Sequence, residues 1–159
     1  MTLDLGLDAM LQNVTNIASG VSGIRHAYNY DEWPDSPPGL FNKAQAMHLT
    51  GFPEEGDGWV VRHLGIDMDE VELVVPMYTV VLAAAQVKRS RSWVEPYIDR
   101  YRVIFAANMK LSGAITAGNA DYEGGQVVRS IPDWEGYDGF YMLRHRLRIH
   151  TKGHQTHSA

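Results

Sequence analysis

Cysteine is missing from all 159 residues. That excludes a disulfide framework, a thiolate zinc site and a thiol nucleophile. It suits a reducing compartment, and equally a particle whose subunits must not cross-link. A basic excess is missing too. The 14 lysines and arginines face 19 aspartates and glutamates, for a formal net charge of −5, so non-specific binding along duplex DNA is not the starting expectation. Long hydrophobic runs are also lacking. The valine-rich uncharged stretch LVVPMYTVVLAAAQV at 73–87 falls short of the roughly 20 residues a helix needs to cross a bilayer, and it holds Pro76. The opening MTLDLGLDAM has two aspartates and no lysine or arginine, unlike a secretory signal. The expectation is a soluble protein with no membrane partner. Catalytic signatures are absent as well: no G-x-S-x-G elbow, no P-loop, and no G-x-G-x-x-G after a strand. Ser19-Gly20-Val21-Ser22-Gly23 is glycine-rich, but it ends a helix, whereas phosphate cradles open one. The reading is a non-enzyme without a cofactor.

What is present is an ordinary globular mixture, 45% apolar and 21% charged, sized for one domain with a real core. Residues 7–21 place Leu7, Met10, Leu11, Val14, Ile17, Ala18 and Val21 at three- and four-residue steps. That spacing predicts an amphipathic helix closed by Gly20 or Gly23. IRHAYNY (24–30) alternates as a strand does. DEWPDSPPG then carries three prolines and a glycine and reads as a loop. LFNKAQAMHLT (40–50) is read as a strand. The valine-rich segments 59–66 and 71–84, joined by DMDE, predict a hairpin. Pro76 removes one ladder donor, so an edge or a bulge is expected there. Residues 91–111 predict a second helix with an apolar stripe of Trp93, Tyr97, Tyr101, Ile104 or Phe105, and Ala107 or Met109, a capping-box spacing at Ser92 and Glu95, and Gly113 as its stop. AITAGNADYEGG is read as a loop, QVVRSI (126–131) as a strand, PDWEGYDG as a turn, and FYMLRHRLRIHTKG (140–153) as the last strand. The order predicts an α+β fold: a single domain over 1–150, a mostly antiparallel sheet flanked by two helices, an extended loop over 31–58, and a flexible tail at 151–159.

The chemistry-bearing residues are sparse. Asp67, Asp69, Glu70 and Glu72 lack the spacing and bend glycine of a calcium loop and read as a solvated hairpin turn; Glu54-Glu55-Gly56-Asp57 reads as an acidic connector. His150, His154 and His157 sit in the last ten residues, away from the rigid scaffold a zinc site needs, so no metal is expected. His26, His48, His63 and His145 fall on presumed strands and read as polar sheet positions. Two basic features remain: Lys88-Arg89-Ser90-Arg91, and the row Arg144, Arg146 and Arg148. Alternate side chains of a strand share a face. Leu143, Leu147 and Ile149 should therefore point to the core beside His145, with Met142 and the arginines outward. The row is either a solvated face or a contact surface. Three like charges repel, and guanidinium forks match carboxylates. An acidic partner would relieve the repulsion, and this chain's own 54–57 and 67–72 could supply it from another copy. A phosphate backbone is the alternative partner. Trp33, Trp134 and Tyr137 lie in polar, turn-rich loops, where aromatics either fold back on the core or anchor subunit interfaces. The candidate interface residues are thus Trp33, Asp67, Asp69, Glu70, Arg89, Arg91, Trp134, Tyr137, Arg144, Arg146 and Arg148.

This layout resembles the tail terminator (tail completion) proteins of long-tailed bacteriophages, the lambda U type, or a related neck or head–tail joining subunit. The resemblance runs over about 7–150. It rests on element order: an amphipathic helix leading to IRHAYNY and a proline-rich loop, a central valine-rich hairpin, a helix of the SWVEPYIDRYRVIF kind, a glycine-containing loop and a final hairpin. It implies a non-enzymatic virion subunit, assembled in the host cytoplasm. Six copies would form a ring at the head–tail junction that caps the tail tube. The implied partners are further copies of itself, the major tail tube protein, a head completion or connector protein, and DNA that passes through the lumen without sequence-specific binding. The alternative is a nucleic-acid-binding module that uses the Arg144/Arg146/Arg148 strand face.

Overall fold

A computed structural model describes residues 2–3, 6–34, 46–53, 59–63, 68–81, 95–115, 117–128 and 141–156. Helix α1 spans Leu7–Ser19 and buries Met10, Leu11, Val14, Thr15, Ile17 and Ala18. It stops at Gly20, whose N–H turns back to the Ile17 carbonyl at 3.0 Å, as the sequence predicts. Helix α2 is shorter than expected, Pro96–Ala106, with proline in its first turn and Tyr97, Tyr101 and Phe105 buried at four-residue steps. Proline is tolerated there because the first-turn N–H has no intrahelical partner. Residues 91–94, including Ser92 of the expected capping box, lie outside the described residues. A 3₁₀ turn, Leu111–Gly113, follows α2.

Among the described residues seven strands form one sheet: β1 (Thr2–Leu3), β2 (Ile24–Tyr28), β3 (Ala46–Thr50), β4 (Trp59–His63), β5 (Met68–Val81), β6 (Gly118–Val128) and β7 (Tyr141–Thr156). β5 and β7 form its spine. They pair antiparallel from Met68↔His154 to Val81↔Tyr141 without a slip in register, over roughly 45 Å at ~3.3 Å per residue. On the far side of β5 lie β4, along Asp69–Leu73, and β3, along Met77–Val80. On the far side of β7 lie β6 and the short β1. β2 joins β3 in parallel, and every other pairing is antiparallel. The fold is α+β, as the element order predicts.

The differences from expectation have local causes. AITAGNADYEGG is not simply a loop, because β6 begins at Gly118. Its glycines build a bulge between Tyr122 and Gly125, with Gly124 at φ 104°. Glycine density signals a turn and a bulge alike. The acidic residues Asp69 and Glu70 lie on β5 opposite His63 and Arg62, not in the hairpin turn. β7 runs through Thr156, past the expected tail boundary at 151, because its last residues pair with β1 and β5. Pro76 stands in the sheet's spine. Its carbonyl accepts from the Gly51 N–H at 2.8 Å, so its ring nitrogen faces the junction where β3 has ended and β4 has not begun. Gly51 is demanded by that contact, since a Cβ would lie 2.8 Å from the Pro76 ring.

Both helices pack on one face of the sheet. The main core joins α1 and α2 to Val71, Leu73, Val75, Met77, Leu143, Leu147 and Ile149. The other face carries a smaller cluster of Met47, Leu49, Tyr78, Val80 and Met142, with Tyr28, Trp33 and Val128 against it. Met142 is therefore buried, not outward. The alternation was read correctly, but this end of the second face has an apolar cover of its own.

Candidate functional site

The arginine row stands on the helix-free face of β7, as the period of two requires. Its cross-strand neighbours on β5 are Tyr78 for Arg144, Pro76 for Arg146 and Val74 for Arg148. Those on β6 are Gln126 for Arg144 and Asp121 for Arg148. Arg148 holds carboxylates on both sides. Its guanidinium donates to Glu72 of β5 at 2.6 Å and to Glu123 of β6 at 2.9 Å. These bonds, Glu123 first and Glu72 second, raise its already high pKa. Arg146 approaches Glu123 at 3.7 Å, and His150 pairs with Glu70. The acidic relief expected from another copy comes, for Arg148, from within the same chain. The face reads acid, base, acid across β5, β7 and β6 toward the His150 end. Toward the Arg144 end the strands lining the row contribute Tyr78, Pro76 and Gln126.

At that second end the β6 bulge opens a shallow depression of about 230 Å³, lined by Glu123, Gly124, Gly125, Gln126, Arg144 and Arg146. Gly125 fits there because a Cβ would meet the His145 ring at 3.2 Å and the Arg144 carbonyl at 3.3 Å.

Of the candidate interface residues, the structure brings Arg144, Arg146, Arg148 and Glu70 onto this one face. Trp33 belongs to the same side of the sheet but folds back. It stacks edge-on to Tyr78 with centroids 5.6 Å apart and donates its indole N–H to the Thr50 carbonyl at 2.9 Å. Asp69 is placed by its backbone on β5. Asp67, Arg89, Arg91, Trp134 and Tyr137 lie outside the described residues, as does the acidic run 54–57.

The sequence places His48 and His145 on strands as polar positions but gives no sign that they are linked to each other. Under α2, a chain of hydrogen bonds links two buried histidines, His48 and His145. Tyr122 OH lies 2.6 Å from His145 Nδ1, and His145 Nε2 lies 2.7 Å from Thr79 Oγ1. Thr79 bonds the Tyr101 hydroxyl. That hydroxyl sits 2.6 Å from His48 Nδ1, and His48 Nε2 lies 2.7 Å from Thr50 Oγ1. Thr50 then meets Thr15 Oγ1 at 2.8 Å, and Thr15 bonds the Leu11 carbonyl at 3.0 Å. Burial lowers the pKa of His48 to about 3; burial, followed by the neighbouring His48, lowers that of His145 to about 3. Burial also pushes the Tyr101 and Tyr122 phenols up.

Proton counting orients the whole chain. A carbonyl only accepts, so the single hydroxyl proton of Thr15 goes to Leu11. Thr50 must then donate to Thr15, and His48 Nε2–H to Thr50. His48 is neutral, so its Nδ1 accepts from Tyr101. Thr79 therefore donates to Tyr101, His145 Nε2–H donates to Thr79, and Tyr122 donates to His145 Nδ1. Every donor and acceptor role is assigned, and the chain ends on a backbone carbonyl. It ties α1, α2, β3, β5, β6 and β7 together with polar groups satisfied at low dielectric. Each imidazole already has both nitrogens engaged.

Comparison with protein-family models and with curated proteins finds no match to this chain. Among the described residues no group of three or more histidine, cysteine, aspartate or glutamate side chains is arranged to hold a metal ion. Among the same residues no helix is long and apolar enough to cross a membrane.

Proposed function

We propose that this protein is a structural assembly subunit. Copies of it form a ring, in the manner of the phage tail terminators its element order resembles. In that role it would sit in the virion at the head–tail junction, cap the tail tube, bind the head connector and let DNA pass through the lumen. The observation that carries the reading is the charge layout around Arg148. A surface that tracks a nucleic-acid backbone presents cations along the strand. Here the Arg148 end of the row is flanked by Glu72 and Glu123 at hydrogen-bond distance. Such a mixed, knitted surface suits a protein partner, whose own charges can be matched one by one. The buried imidazoles and phenols support the same reading, since their hydrogen bonds go to one another and hold elements together.

The test is the assembled mass. Mass photometry should find a species near six times the 17.8 kDa chain, and end-on electron micrographs should show rings. A monomer at every concentration would remove the reading, and strong salt-dependent binding to duplex DNA would replace it with the nucleic-acid one.

A further inference from the structure

Four strand pairings place one row of residues straight across the sheet: Tyr28 on β2, Leu49 on β3, Tyr78 on β5, Arg144 on β7 and Gln126 on β6. At one end of this row is the depression that holds Arg144 and Arg146. At the other end, just after Tyr28, the chain turns, with the Glu32 N–H bonded to the Asn29 carbonyl at 2.9 Å. That turn presents two consecutive exposed acids, Asp31 and Glu32. A basic notch and an acidic turn therefore lie at the same height on opposite edges of one sheet.

We propose that neighbouring copies meet edge to edge, with Asp31 and Glu32 of one copy seated at Arg144 and Arg146 of the next. This rests on the assembly reading above and names its contact. The geometry favours it in three ways. The two surfaces are different, so the contact is heterologous, and each copy, with one notch and one turn, can engage one neighbour on each side, which is the requirement for a ring. The Gly124–Gly125 bulge leaves the notch open on the β6 side, where a Cβ on Gly124 would meet nothing within 4 Å. A guanidinium with five donors serves more than one carboxylate, as Arg148 does with Glu72 and Glu123. Among the described residues of this face, Glu70, Glu72 and Glu123 are engaged within the chain by His150 and Arg148, whereas the Asp31–Glu32 turn is exposed and can offer its carboxylates to a neighbour.

The experiment uses the full chain and two exposed-surface variants, Arg146→Glu and the pair Asp31→Arg with Glu32→Arg, each checked for native circular dichroism. Each variant alone should raise the concentration for half-assembly by at least about tenfold, read by mass photometry. Mixed one to one, they should assemble again. In an alternating ring every altered notch meets an altered turn, and every native notch meets a native turn. Contacts within one chain cannot be restored by mixing. If wild type assembles but the variants do too, or the mixture stays dissociated, the edge contact is wrong while the ring reading stands. If wild type is monomeric throughout, both fall. Loss of duplex DNA binding in Arg146→Glu, with assembly unchanged, would also overturn the contact.

Discussion

The rings of Tyr101 and His145 lie face to face, with centroids 3.9 Å apart and only 9° between their planes. The stack brings the phenol of α2 onto β7, and Thr79 bridges the two polar ends. Replacing Tyr101 by phenylalanine keeps the stack and removes the hydroxyl. His48 Nδ1 then loses its donor and Thr79 its acceptor, both fully buried. Two orphaned groups cost about 2–4 kcal/mol together. Urea unfolding of Tyr101→Phe should show a loss of that size, and a loss under about 0.5 kcal/mol would mean that the hydrogen-bonded chain is not continuous at this point.

The proton count makes a sharper claim. Both His48 and His145 should be Nε2–H tautomers, each with a bare Nδ1 that accepts from a tyrosine. Long-range nitrogen–proton correlation NMR separates the tautomers by their nitrogen shifts. Finding Nδ1–H on either ring would reverse the direction of the chain and sink the assignment.

Acid should weaken this protein early. Both buried histidines have folded-state pKa values lowered to about 3, against about 6.5 in the unfolded chain. Well above pH 6.5, from about pH 7.5 upward, neither state binds a proton, so the histidines contribute no pH dependence there. As pH falls toward 3 the unfolded chain takes up protons that the folded one refuses, and stability drops. Two histidines lose on the order of 3 kcal/mol between pH 6.5 and pH 5, a large part of a typical total. Denaturant titrations between pH 6.5 and 5.5, above the carboxylate range, should show this slope. A flat profile would show that these imidazoles are not held neutral.

The parts of this fold that were legible in the sequence are the periodic ones. Leu143, Leu147 and Ile149 alternate with the arginines, and they are fully buried. The stripe of Tyr97, Tyr101 and Phe105 likewise marked the buried side of α2. What stayed hidden depends on partners far along the chain. His48 reads as a polar strand residue until Tyr101, 53 positions later, stands beside it. Arg148 reads as an unneutralised charge until Glu72, 76 positions earlier, is paired with it. Met142 obeys the outward alternation and is still buried, because Tyr78, Val80 and Met47 close over that end of the second face. β6 was obscured for a different reason: the bulge that lets it pass the His145 ring uses the same glycines that end strands elsewhere.

The 3₁₀ turn after α2 stores backbone strain. Leu111 and Ser112 both have positive φ, 48° and 55°. Leu111 is held there by burial and by Asn13, whose amide donates to its carbonyl at 2.8 Å. Ser112 is exposed. The left-handed conformation costs an L-residue about 1–2 kcal/mol, partly offset for glycine by its greater unfolded-state entropy. Ser112→Gly should therefore raise stability by about 0.5–1 kcal/mol in thermal or urea unfolding. A destabilised variant would show that the serine contributes something the turn geometry does not reveal.

Arg148 ties three strands through two carboxylates, yet its side chain is 36% exposed. Solvent screening therefore limits what each pair contributes. A double-mutant cycle of Arg148→Ala with Glu72→Ala should return a coupling of about 0.5–1 kcal/mol at low salt. The same cycle with Glu123→Ala should give a similar value, since the two hydrogen bonds are of like length, 2.6 and 2.9 Å. Both couplings should shrink by about half or more as ionic strength rises to 1 M, where the screening length falls to about 3 Å. Removing Arg148 alone leaves Glu72 and Glu123, 29% and 34% exposed, able to take water, so the single variant should still fold. Couplings near zero at low salt would mean that the guanidinium holds no strand in place and that the order of this face comes from the backbone ladder alone.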